Sequence, residues 1–183
     1  MPLGGHVRFF GDGREKTKVI EGRRYWRIPV MDGEFLVEET AGVAKGIGGG
    51  NFIVQGRSLE AALAAARRAV ASIDAIPGTI TPFPGGVVRS GSKVGSIYES
   101  LRASTNEAFC PGLVGRDPTG LHPDATACLE VVIDGTTEEA VGAAMAAGIR
   151  AASGDDVPAI SAGNYGGALG KFHFHLRQVL ASA

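Results

Sequence analysis

Glu130 stands in "ACLEVVIDG" (127–135), a run otherwise apolar enough from Ala127 to Ile133 for a central strand. An acid there faces solvent on an open sheet face, or it lines a partly dry cleft where loss of water raises its pKa towards values useful for proton transfer. Charges on half-exposed strands are ordinary, so the pattern alone leaves the solvated face as the default. In "RASTNEAFCPG", Ser104, Thr105 and Asn106 stand in a row. Three short hydrogen-bonding side chains either cap a helical turn ahead of Glu107 or form a polar wall for an amide-bearing ligand. Cys110 and Cys128 could each act as a nucleophile, but no histidine is linked to them in sequence, and a buried free cysteine is the commoner outcome. His173 and His175 alternate, which puts both on one face of an expected strand. With only His6 and His122 elsewhere, and no Cys or carboxylate at ligand spacing, a four-ligand zinc site is not expected. "GIGGGN" leads into a strand rather than a helix, so it lacks the helix N-terminus that receives a phosphate, and no GK[ST] motif exists.

The remaining polar candidates lie in "TPFPGGVVRSGSKVGS" (81–96), a stretch with two prolines, four glycines and three serines. Glycine makes up 28 of 183 residues and bunches beside expected strands rather than spreading evenly. Such bunching points to shaped turns rather than disorder. The stretch is either a loose surface loop or a backbone fitted around a small polar ligand.

Several classes are excluded by composition. A net charge of −1 provides no field for nucleic acid or an anionic membrane. Arg23-Arg24, expected in a turn, and Arg67-Arg68, expected on a polar helix side, read as solvated faces. Two cysteines suit a reduced, cytoplasmic protein. The start "MPLGGHVRFFGDG" has neither a basic segment nor an apolar run, so no signal peptide is expected, and no run approaches a membrane span.

The elements that must position these residues read as follows. "HVRFF" is an expected strand, and "RYWRIPVMDGEFLVEE" a hairpin with Asp32-Gly33 at its tip. "GGGNFIVQG" is a strand, Ser58 an N-cap, and "LEAALAAARRAVASIDAI" a helix with one apolar stripe, stopped by Pro77-Gly78. "TIT" opens another strand. The second half repeats the order: strand "ACLEVVIDG", a cap at Thr136 or Thr137, helix "EEAVGAAMAAGIRAA", then a strand begun by "AIS" and ended by "AGNYGGALGKFHFHL". Glu60 aligns with Glu139, and Gly85-Gly86 with Gly166-Gly167. Residues 112–126 lack periodicity and join the halves. Two tandem βαβ units predict an α+β, ferredoxin-like split βαβ sandwich: four antiparallel strands, two alanine-rich helices on one face, and an N-terminal β-hairpin extension.

Together "FFGDG", "YWRIPVMDGEFLVEE", "GGGNF", "PFPGG", "SGSKVGS", "ASTNEAFCP", "LEVVIDG" and "ISAGNYGG" resemble the formylmethanofuran:tetrahydromethanopterin formyltransferases. The pattern is most similar to the form that methylotrophic bacteria use in a formyltransferase/hydrolase complex. It runs from about Val7 to Leu180 and matches the later part of that family's chain. The resemblance therefore implies that residues 1–183 form the C-terminal lobe, and that the family's N-terminal lobe would precede residue 1. It implies an acyltransferase that moves a formyl group between the amine of methanofuran and N5 of tetrahydromethanopterin, with no metal or bound cofactor. A homo-oligomer with its ligands in a cleft near subunit contacts, and a place in a formyltransferase/hydrolase complex, are implied as well. Glu130 becomes the acid/base, against the solvated-face default. The substrate wall implied by the resemblance consists of Phe83, Pro84, Gly85, Gly86, Ser90, Ser92, Lys93, Ser104, Thr105, Asn106, Asn164 and Tyr165. The alternative is a noncatalytic binding or scaffolding module of the same fold, dependent on a partner chain for the missing lobe.

Overall fold

The runs Ile47–Gly56 (β4) and Ala127–Gly135 (β8) pair antiparallel along their whole length, with Phe52 opposite Val131 and Val54 opposite Leu129. Strand side chains alternate between faces, so these four and Ile133 share one face of the sheet. All are buried there against two helices, Leu59–Ile73 (α2) and Glu138–Ala152 (α3). The computed structural model describes residues 1–91, 93–163 and 170–181. They fall into two compact units, Met1–Lys45 and Gly46–Ala183.

In the second unit the sheet is completed by Thr79–Ile80 (β5) beside β8 and Ala159–Ser161 (β9) beside β4, giving the antiparallel order β5-β8-β4-β9. Each long helix starts at a hydroxyl cap, as the sequence predicts. Ser58 Oγ accepts from Ala61 N–H at 3.1 Å, and Thr137 Oγ1 accepts from Ala140 N–H at 3.1 Å. Such caps contribute about 1 kcal/mol each. Alanine on the inner faces brings the two helices close together. Ala62, Ala65, Ala66 and Ala69 of α2 are fully buried, as are Ala144 and Ala152 of α3. At Gly148 a single added carbon would stand 2.9 Å from Ile73 Cδ1 and 3.0 Å from Phe52 Cζ.

The first unit is a three-stranded antiparallel meander of Lys16–Ile20 (β1), Arg23–Val30 (β2) and Gly33–Glu38 (β3). The hairpin forms, but its tip is one residue earlier than expected: Val30 pairs with Gly33, so Met31-Asp32, not Asp32-Gly33, make the two-residue turn. Arg23 and Arg24 lie in β2 rather than in a turn. Cross-strand pairing puts their guanidiniums 3.6 and 3.9 Å from the Glu38 and Glu39 carboxylates, on exposed surface. "HVRFF" is not a strand. Leu3–Val7 is a helical turn (α1), followed by a 3-10 turn at Arg8–Gly11. The local reason is the preceding glycine pair: Gly4 is buried and donates its N–H to Glu39 O at 3.1 Å, while Phe9 and Phe10 stay exposed. No alternating face is left for a sheet to bury.

Two further expectations change in the second unit. The strand at "AIS" ends at Ser161 because β9 finds only three partners on β4. His173 and His175 therefore lie outside any strand, and the His175 carbonyl accepts from the N–H groups of Gln178 and Val179 at the start of a helix, Leu176–Ala181 (α4). The joining loop is also longer than residues 112–126. Between β5 and β8 the described regular structure is limited to a ribbon of Lys93–Val94 (β6) with Ala103–Ser104 (β7), and three 3-10 turns. Gly166-Gly167, half of the aligned glycine pairs, lie outside the described residues. Among those described, no helix is long and apolar enough to cross a membrane.

Gly148→Val should overpack the α2–α3 contact and cost about 1–3 kcal/mol. A urea titration of the full chain would show this as a lower midpoint with an unchanged slope.

Candidate functional site

On the sheet face away from the helices, the same alternation places Asn51, Ile53 and Gln55 of β4 beside Cys128, Glu130 and Val132 of β8. Glu130 is 2% exposed, so the solvated-face default is wrong. It sits opposite Ile53, and Asn51 Nδ2, the diagonal neighbour, donates to Glu130 Oε1 at 2.7 Å. A bulge at Gly49 sets this register. The strand pairing skips one residue between Gly48 and Gly50, Gly49 has φ +99°, and its N–H donates to Asp134 Oδ1 at 3.2 Å. A side chain at that φ would be strained.

The glycine-rich stretch is held along β8 at both ends. Ile80 lies opposite Asp134, while Val88 exchanges both backbone hydrogen bonds with Glu130 at 2.8 and 2.9 Å. Eight steps of chain thus span four steps of β8, and the excess is thrown out as a loop. Pro84–Gly86 forms a 3-10 turn within it, closed by Gly86 N–H to Phe83 O at 2.7 Å. Gly86 has φ +72° and packs on α2, where an added carbon would be 2.5 Å from Val70 Cγ2. This anchoring leaves Phe83, 41% exposed, on the wall of a cleft of about 240 Å³ that Asn51, Glu130, Val132 and Asp134 also line. Pro84, Gly85 and Gly86 shape the turn that presents Phe83.

A second wall comes from residues 89–91 and 105–110. The Ser90 carbonyl accepts from Thr105 Oγ1 at 2.8 Å and from Asn106 N–H at 3.3 Å, which fastens the two segments together. Ser90, buried Asn106, Cys110, Cys128 and Glu130 surround a cavity of about 30 Å³, room for one water. Lys93 and Ser104 are cross-strand partners in the β6–β7 ribbon and do not line the space around Glu130. Lys93 Nζ donates to Glu107 Oε1 at 2.5 Å, and that bond holds the Glu107 carboxyl below its ordinary pKa. Ser104 Oγ donates to Gly95 O at 2.8 Å. The structure thus gathers Phe83, Ser90 and Asn106 around Glu130, and gives Thr105, Lys93 and Ser104 bonds within the loops. Ser92, Asn164 and Tyr165 lie outside the described residues.

Asn51 and Gln55 join this face without having been site candidates in the sequence, whereas Cys128, a candidate nucleophile there, proves to be a half-buried free cysteine. Asn51 and Gln55 interrupt "GNFIVQ" four positions apart, so a two-residue period puts both on one face, and that signal was readable. Gln55 is buried. Its Nε2 donates to Gly120 O and Ser161 Oγ, both at 3.2 Å, and its Oε1 accepts from His122 N–H at 2.7 Å. Burial, and secondarily the neighbouring Cys110, push the Cys128 thiol up to about 11.

Residues 33–179 match the family model described as "FTR, proximal lobe". The formylmethanofuran–tetrahydromethanopterin formyltransferase of Methylococcus capsulatus is 55% identical over 185 residues, covering 99% of this chain and 62% of the relative. The solved formyltransferase of Methanosarcina barkeri superposes with a TM-score of 0.74 at 48% identity, covering 97% of this chain and 61% of the other. A chain of the formyltransferase/hydrolase complex of Methylorubrum extorquens, solved with methylofuran, superposes with a TM-score of 0.73 at 48% identity, covering 98% and 62%. The chain therefore spans about three fifths of the length of these relatives.

A thiol pKa near 11 leaves Cys128 almost wholly protonated at pH 8. In a Cys110→Ser background its alkylation by iodoacetamide at pH 8 should be about 10²-fold slower than that of a peptide thiol of pKa ~8.5, and should climb steadily towards pH 11. A rate that levels off by pH 9 would contradict the burial assigned to it.

Proposed function

This chain belongs to the formylmethanofuran–tetrahydromethanopterin formyltransferase family, and on that premise we propose that it carries the proton-transfer site for moving a formyl group between a furan-bearing amine and N5 of tetrahydromethanopterin. The observation that carries the proposal is Glu130: a carboxylate withdrawn from water, held by Asn51, and facing a cleft with an aromatic wall at Phe83. Formyl transfer needs one group that takes a proton from the attacking nitrogen and returns it to the departing one. A single carboxylate at a fixed position between two amines meets that need. Phe83 offers a flat apolar surface to a heterocycle in the larger cleft, and Ser90 and Asn106 bring polar edges to the small cavity that also borders Glu130. Lys93, Ser104 and Thr105 keep that wall in shape, and Ser92, Asn164 and Tyr165 belong to the substrate wall by resemblance.

The sheet order β5-β8-β4-β9, with one helix in each half, supports the ferredoxin-like split βαβ description of the second unit. The N-terminal meander of Met1–Lys45 is then its extension. The match to a chain of the formyltransferase/hydrolase complex supports assembly into such a complex; a cytoplasmic location and self-association into a homo-oligomer are part of the same proposal.

Glu130→Gln keeps the shape and a hydrogen bond but cannot carry a proton. In an assembly that transfers formyl groups, this substitution should lower kcat by at least ~10²-fold while substrate binding stays within a few-fold. Steady-state kinetics with a wild-type kcat would remove Glu130 from the mechanism.

A further inference from the structure

A proton carrier handles one of the two charges that move in formyl transfer. The other is the electron pair driven on to the carbonyl oxygen when the formyl carbon is attacked. We propose that Asn51 receives that oxygen and, with the same side chain, positions Glu130; the inference rests on the formyl-transfer reading above.

Asn51 follows the Gly49 bulge on β4 and is 6% exposed. One N–H of its amide goes to Glu130 Oε1 at 2.7 Å. An asparagine amide has a second N–H, and among the described residues this one meets no protein acceptor. The bond to Glu130 satisfies the buried amide nitrogen, and its second N–H is left to donate to a group in the cleft. The space beside it fits such a group. Asn51, Gly48 and Gly49 line the cleft of about 240 Å³ that holds Glu130 and Phe83, and also a second cleft of about 190 Å³ reaching towards Phe172 and His175. Two reactants that exchange one small group need two clefts with a common point. Asn51 stands at that point, and the glycines beside it leave the approach open.

The step balances with these groups alone. The acceptor nitrogen uses its lone pair to form a C–N bond to the formyl carbon, and the C=O π pair moves to oxygen, where the free Asn51 N–H donates to it. The acceptor nitrogen's proton passes to the Glu130 carboxylate. As the oxygen pair re-forms C=O, the old C–N bond breaks, its electrons stay on the departing amine, and Glu130 returns the proton there. Asn51 and Glu130 end as they began.

The test is kinetic, on the full chain within an assembly that transfers formyl groups from a formylated furfurylamine-type donor to a tetrahydropterin. Asn51→Ala should lower kcat by about 10²–10³-fold with KM within a few-fold. Because a donated hydrogen bond favours the carboxylate form, its removal should also move the acidic limb of the kcat–pH profile to higher pH. In a Glu130→Gln background, Asn51→Ala should still cost at least ~10-fold, since the oxygen contact does not act through Glu130. If Asn51→Ala does not fold, read by circular dichroism, Asn51→Ser serves instead; it keeps a shorter donor and should show the same pattern at smaller size. An unchanged kcat and pH limb would overturn the proposal while leaving the formyltransferase reading intact. No further loss in the Glu130→Gln background would overturn the oxygen contact, and a wild-type assembly without formyl transfer would overturn both readings.

Discussion

The pairing register of β4 with β8 decides what the second unit can be. With Phe52 opposite Val131 and Val54 opposite Leu129, one face of the pair is wholly apolar and receives both helices. The intervening residues then have no choice of side: Asn51, Gln55, Cys128 and Glu130 must share the other face. A slip of one residue would bury Glu130 under the helices and expose Phe52. Core and site are the two sides of one constraint, so the hydrophobic energy that selects the register also aims the acid.

That arrangement obliges the protein to keep a carboxylate out of water, which is unfavourable unless hydrogen bonds offset it. Both backbone groups of Glu130 are taken by Val88, and the side chain is gripped by Asn51. The Gly49 bulge brings Asn51 into reach by absorbing one residue of β4 just before it. Gln55 does comparable work at the other end of the strand. Its amide binds Gly120, His122 and Ser161, tying the long joining loop and β9 to the sheet that supports Glu130.

Legibility in the sequence followed the range of the forces involved. The helices and their caps at Ser58 and Thr137 were readable because capping and amphipathic spacing act within a turn or two of chain. The hairpin was readable for the same reason. "HVRFF" was misread because Gly4 docks on Glu39, a contact 35 positions away that no local pattern reports. His173 and His175 were misread because β9 stops where β4 offers no further partner. Glu130 was visible as an oddity, but its burial depends on Val88 and Asn51 arriving from distant segments. Asn51 was legible too, because it and Gln55 stand four positions apart on the face that the two-residue period of β4 sets opposite the core.

The order β5-β8-β4-β9 also bears on how the chain reaches its folded state. Each half lends its short strand to the other: β5, which follows α2, pairs with β8, and β9, which follows α3, pairs with β4. Neither half can finish its own sheet. The helices can flicker into being locally, but the central pairing joins residues about 80 positions apart, and closing so large a loop before any sheet energy returns makes for a slow, all-or-nothing transition. Severed in the middle of its joining loop, the second unit would yield two fragments that are each incomplete and each complementary to the other, so order should return only when they meet.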